Sequence, residues 1–195
     1  MNSTKDMKEF KPLKASFWIA LLSFITILPI ASFSADVSSQ DKELANKLAQ
    51  GSISEVQVGK FVKDKATDPA VKDFANRMVQ DHTQMDQQIR HWASLNGVTL
   101  STAPSKDGQE LKGRLAKESG KSYDQEYVRS MLEDHKKDVS ELQKFMAAHP
   151  DSSLKSIVTQ TLPILENHLR VAENVAGKLG VSAKPGLNQP EHPQS

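Results

Sequence analysis

The sequence predicts an all-α fold: a four-helix bundle with one long connection, itself containing a short helix, between the second and third helices. Three observations carry this. Apolar residues recur at spacings of three and four through four long stretches, the period of a helix with one buried face. Stop-and-start signals separate those stretches at Thr67-Asp68-Pro69, Asn96-Gly97 and His149-Pro150-Asp151. A five-residue phrase occurs twice, as Met78-Val79-Gln80-Asp81-His82 and Met131-Leu132-Glu133-Asp134-His135, with Phe74 and Tyr127 each four positions before the methionine.

In chain order, residues 1–35 read as a secretory signal peptide. Lys5, Lys8, Lys11 and Lys14 precede an apolar run from Ala15 to Ala31, and the small residues Ser32 and Ser34 favour cleavage near residues 34 to 35, leaving a mature chain that begins near Asp36. The competing reading is a retained membrane anchor, for which the run sits at the lower edge of a bilayer-spanning length. Pro29 and the serine-rich exit favour the signal. The expected location is the periplasm or the outside of the cell, with association to an outer membrane as a variant and no stable membrane span once the signal is removed.

Residues 36–181 hold the bundle. The first helix runs from about Gln40 to Ala66, capped by Ser38 or Ser39, with Leu44, Leu48, Gly51, Glu55, Val58 and Val62 on its inner stripe. Gly51 and Gly59 each cost about 1 kcal/mol against alanine inside a helix, so both are expected at close helix approaches. Asp68 caps the second helix and Pro69 opens it. Val71, Phe74, Met78, His82, Met85, Ile89 and Trp92 form its inner face, and Asn96-Gly97 its left-handed stop. The turn is short, so these two helices form an antiparallel hairpin.

Residues 97–121 form the long connection, with a short helix expected over Asp107–Ser119. Its reach, at about 3.3 to 3.6 Å per extended residue, suffices to run the length of the bundle, which makes the second and third helices parallel. Ser122 with Gln125 offers a capping box for the third helix, which carries Tyr127, Met131, His135, Val139 and Leu142 inward to about Ala148. The fourth runs to Leu179, with Leu154, Val158, Leu162, Leu165, His168, Ala172 and Val175 inward, Pro163 as a kink and Gly180 as the stop. Residues 182–195, with prolines at 185, 190 and 193, are too poor in apolar side chains to fold and are expected to be a disordered tail.

The 195 residues carry 25 Lys plus Arg against 24 Asp plus Glu, and removal of residues 1–35 takes away four basic and two acidic ones, leaving a net charge of −1. A chain so nearly neutral has no nucleic-acid footprint. The absence of cysteine excludes disulfides, thiolate metal ligands and a lipidated N-terminal cysteine. The sequence leaves a protein partner unidentified and a homo-oligomer open.

Candidate chemistry lies on the inward stripes, where Glu55, His82, His135 and His168 place one polar residue on each helix. Counted from the turns, Glu55 and His82 stand at nearly one level, while His135 and His168 differ by about one helical turn. Imidazole and carboxylate groups projecting from four helices are how bundles hold metals, and neutral imidazole suits zinc, copper, iron or nickel. The other reading is a metal-free hydrogen-bonded layer in which Glu55 accepts from the histidines. Met78 and Met131, each one turn from a histidine, extend the metal reading to copper, but methionines on a helical stripe are far more often core filler. Asp81 and Asp134 lie about a hundred degrees around the helix from their histidines, placed to orient an imidazole of an adjacent helix. His91, His149 and His192 take no role, and no nucleophile motif or phosphate loop occurs.

Glu55-Val56 followed by Gly59, the segment from Val71 to His82, that from Tyr123-Asp124 to His135, and Leu162-Pro163 with His168 together resemble a bacterial exported ferritin-like family of unknown function (domain of unknown function 4142), often labelled predicted outer membrane proteins. The resemblance implies a ferritin-like four-helix bundle in the cell envelope, without an established activity. Di-iron carboxylate bundles carry a glutamate three residues before a histidine on two helices. Here those positions are Val79, Leu132 and Leu165, so ferroxidase chemistry is not expected.

Overall fold

The computed structural model describes residues 37–181, so the signal-peptide reading of residues 1–35 and the tail reading of 182–195 lie outside the described residues. The helices are α1 (Ser39–Lys65), α2 (Pro69–Leu95), α3 (Lys106–Leu115), α4 (Gly120–Ala148) and α5 (Lys155–Leu179), and there is no strand among the described residues. The local punctuation acts as expected at most boundaries. Ser38 Oγ accepts from Asp41 N at 3.0 Å, Asp68 Oδ1 accepts from Ala70 N at 2.7 Å with Pro69 opening α2, and Gly97 (φ 63°) and Gly180 (φ 68°) supply the left-handed stops of α2 and α5.

The bundle is two antiparallel hairpins, α1–α2 and α4–α5, docked so that α2 packs on α5. The hydrogen bonds at the ends fix the directions. Asp124, near the start of α4, bonds to the α1–α2 turn, and Gln125 Nε2 donates to the Leu179 carbonyl at the end of α5 at 2.9 Å. At the opposite end, Asp41 of α1 bonds to the α4–α5 turn. Helices α2 and α4 therefore run parallel, as the reach of the connection predicts. That connection is laid along α1 by Ser101 N to Asn46 Oδ1 (2.8 Å) and Ser105 N to Ser54 Oγ (2.7 Å), and it then ties to α4 through Arg114 and Glu126 (2.7 Å).

The repeated phrase gains its explanation from this topology. Met78 and Met131 are fully buried, the Phe74 and Tyr127 ring centroids lie 6.0 Å apart, and those of His82 and His135 lie 5.9 Å apart. The two copies face each other from parallel helices, in the same direction and at the same depth. Like positions in a parallel pair meet like neighbours, so one pattern of aromatic, methionine and histidine serves both.

The two ends are closed by buried aspartates that the sequence pattern does not reveal. Asp124 accepts from Thr67 N (3.1 Å), Thr67 Oγ1 (2.5 Å) and Asp68 N (2.8 Å); Asp41 accepts from Ser152 Oγ (2.7 Å), Ser153 N (2.9 Å) and Ser153 Oγ (2.6 Å). Each hairpin thus supplies the carboxylate that finishes the other's turn. Burial alone would raise the Asp41 pKa, yet its hydrogen bonds from Ser153 and Ser152 hold it below the usual value of 3.8.

Three local expectations are corrected. The Ser122–Gln125 capping box does not form: α4 starts at Gly120, and Gln125 spends its amide on Leu179 instead. The short helix ends at Leu115 rather than Ser119. Of the two glycines expected at close approaches, only Gly59 is one. A Cβ there would lie 2.8 Å from Val79 Cγ2 and 3.0 Å from the Ala75 carbonyl of α2, whereas at Gly51 it would meet nothing within 4 Å. Gly59→Ala is therefore expected to lower stability by about 1 to 3 kcal/mol through overpacking, while Gly51→Ala gains up to about 1 kcal/mol of helix propensity. Paired urea melts check this, and equal shifts of the same sign would refute the asymmetry.

Candidate metal centre

A layer of three imidazoles separates two apolar clusters. Toward the α1–α2 turn lie Val62, Phe74, Met78, Tyr127, Met131 and their neighbours; toward the other end lie Met85, Ile89, Leu142, Val158 and Leu165. Between them stand His82 of α2, His135 of α4 and His168 of α5, exposed by 4%, 1% and 0%. One ring nitrogen from each lies within 4.8 Å of the other two, and the ring centroids are 5.3 to 5.9 Å apart.

The sequence count that left His135 and His168 a turn apart is corrected by the structure. Residues His149 to Leu154 form the turn and α5 begins only at Lys155, so His168 lies thirteen residues after its helix begins. His135 lies thirteen before α4 ends at Ala148, and the two are level.

Hydrogen bonds fix the tautomers of two of the three rings. His135 Nδ1 lies 3.0 Å from the Met131 carbonyl, which can only accept, so Nδ1 carries the proton and Nε2 keeps a free lone pair. His168 Nε2 lies 2.7 Å from Asp81 Oδ2, so Nε2 donates and Nδ1 keeps the lone pair. Asp81 thus fills the orienting place expected for it, across helices. His135 Nε2, His168 Nδ1 and both nitrogens of His82 are buried without a hydrogen-bond partner. Buried polar groups normally find partners, each orphan costing about 1 to 3 kcal/mol.

Burial keeps the rings neutral. It pushes His135 down to about 3, with His168 beside it adding to the effect and the Met131 bond opposing it. It pushes His82 well below 6.5, aided by the other two rings, and lowers His168 despite the Asp81 carboxylate. Neutral imidazoles are the form that binds metals.

Glu55 stands apart from this triad. It lines a cavity of about 110 Å³ between α1, α3 and α4, together with His82, Asp134 and Asp138. Its Oε2 is buried without a partner, and no hydrogen bond joins it to any of the three histidines. Burial first, and then Asp134 and Asp138, raise its pKa well above 4.5. Burial also lifts Asp134 and Asp138 to about 6 each. Asp134 therefore faces this cavity rather than orienting an imidazole, and Asp138, i+4 from it on the same face, was not singled out by sequence. An acidic pair at that spacing is the one signal for it.

The model of the domain of unknown function DUF4142 matches residues 29–175. The chain belongs to that family. No curated protein matches it. Among solved structures, the DUF4142 chain is similar to the crystal structure of a DUF305 fragment from Deinococcus radiodurans, with a TM-score of 0.62 and 13% sequence identity over 73% of this chain and 98% of that one. At that identity the likeness concerns the helical fold alone, and it agrees with the four-helix bundle described above. Among the described residues of this DUF4142 chain, no helix is long and apolar enough to cross a membrane.

Proposed function

We propose that this DUF4142 chain is an exported cell-envelope protein that binds one transition-metal ion in the core of its bundle, through His82, His135 and His168. The observation that carries the reading is that one ring nitrogen from each histidine lies within 4.8 Å of the other two, and that each of these buried rings has a nitrogen without a hydrogen-bond partner. The Met131 carbonyl and Asp81 hold two of these rings as metal-bound histidines are usually held, through the nitrogen that does not ligate. Three nitrogen donors suit zinc, copper, iron or nickel and leave a further position for a carboxylate or solvent. Glu55, which lines the adjoining cavity beside His82, is the candidate for that place. Export rests on the lysine-led apolar segment of residues 5–31.

Chelator-treated protein, dialysed separately against zinc, copper, cobalt, nickel, iron and manganese, tests the reading. One ion per chain is expected for at least one metal, with stabilisation of about 4 kcal/mol at a thousandfold excess over Kd, and His135→Ala should lose both. If every metal leaves the content and the melting temperature unchanged, the layer is a metal-free structural one acting in an envelope interaction protein.

A further inference from the structure

The cavity lined by Glu55, Asp134 and Asp138 has no part in the three-nitrogen geometry, yet it touches that site through His82. Three features mark it as more than a chance cluster of acids. Its inner wall includes His82, 4% exposed with both ring nitrogens partnerless, and the buried, partnerless Oε2 of Glu55. Glu55, Asp134 and Asp138 form no ion pair among the described residues; of the two lysines on the cavity wall, Lys47 pairs with Glu141 and Lys137 lies 4.0 Å from Asp107, and both act on Asp138 only at longer range. Gly51 and Gly108 line it without side chains, and Gly108 lies so close to Ser54 that a Cβ would sit 2.4 Å from the serine Cβ, which fixes α3 as a wall of the cavity.

We propose that this cavity is the transfer site through which a divalent cation is captured by the carboxylates of Asp134 and Asp138 and passed, by way of Glu55, to His82 and the three-histidine centre. The inference rests on the metal-binding reading above and adds a route to it. Oxygen ligands exchange hydrated divalent ions readily but hold them less selectively than imidazole, so an acidic antechamber to a nitrogen site accelerates arrival without competing for the final ion. Carboxylates in a low-dielectric cleft focus a positive ion, an effect worth about 10- to 1,000-fold in association rate and weakened by salt. The other carboxylate at the triad, Asp81, is engaged with His168 Nε2 at 2.7 Å and Arg77 at 3.6 Å, and the clusters on either side of the layer are apolar.

The test is stopped-flow loading of the full-length chelator-treated protein with Co²⁺, read by its ligand-field absorption, for wild type, Asp134→Asn/Asp138→Asn and His135→Ala. The expected result is a loss of tenfold or more in both loading and release rates in the double variant, with the equilibrium affinity and the final spectrum kept and the salt dependence of loading flattened. Circular dichroism and the unchanged final spectrum establish that the variant is folded. Loading at the wild-type rate, or a loss of affinity with an unchanged loading rate, overturns the transfer role while leaving the three-histidine site standing. Absence of any Co²⁺ or Zn²⁺ binding by the wild type overturns both.

Discussion

Asp124→Ala should lower the stability of the bundle by roughly 3 to 4 kcal/mol, because it strands donors whose acceptor is buried. The carboxylate accepts from the Thr67 and Asp68 backbone and from the Thr67 hydroxyl at the point where α1 turns into α2, and the residue is 1% exposed. Alanine removes the acceptor and leaves those groups facing a void. For a domain of this size about 2 to 4 °C of melting temperature accompanies each kcal/mol, so a fall on the order of 10 °C is the measurable outcome. Asp124→Asn keeps one oxygen toward Asp68 N and the Thr67 hydroxyl and should cost about half as much. A thermal melt of Asp124→Ala within 2 or 3 °C of the wild type would show that the turn is hydrated and the bonds are dispensable.

The second large effect concerns acid. In metal-free protein the histidines titrate low in the fold, His135 near 3, against 6.5 in the unfolded chain. Their contribution is therefore complete above pH 6.5 and is lost as the pH falls below it. The slope is about 1.4 kcal/mol per pH unit, or about 2 kcal/mol for His135 between pH 6.5 and 5, and His82 adds to it in the same direction. Asp134 and Asp138 act with the opposite sign: their folded values near 6 lie above the unfolded 3.8, so their contribution is complete below 3.8 and is lost as the pH rises through 6. Glu55, raised above 4.5, joins them. Between pH 6 and 4 the two slopes oppose each other, and wild-type stability should change little before falling below pH 4. Asp134→Asn/Asp138→Asn removes much of the opposing slope and should lose stability steadily from pH 6.5 downward. Urea denaturation at pH 7, 6, 5 and 4 measures both profiles, and parallel curves would contradict the assignment.

What could be read in advance was whatever depends on period and local stops. His82, His135 and His168 were placed inward because each falls on an apolar stripe, and all three meet. The level of His168 is off by a turn when counted from Pro150, because the turn continues to Leu154 and α5 begins only at Lys155, and a turn shifts everything after it by its own length. Glu55 was placed at the right depth of α1 but lies in the neighbouring cavity, since stripe position sets a direction to within a side chain's width and no finer. Asp41 and Asp124 were invisible as caps for a different reason: their partners lie 111 and 57 residues away, beyond any local pattern. The Ser122–Gln125 box was a valid local solution that a partner in another helix outbid.

The exchange of aspartates between the two hairpins bears on how the chain assembles. A hairpin that forms ahead of its partner has a turn with unanswered N–H groups, Thr67 and Asp68 in one and Ser153 in the other, and gains the missing bonds only on docking. Part of the reward for making each turn is deferred until both exist, which disfavours half-built species and favours a single all-or-none transition.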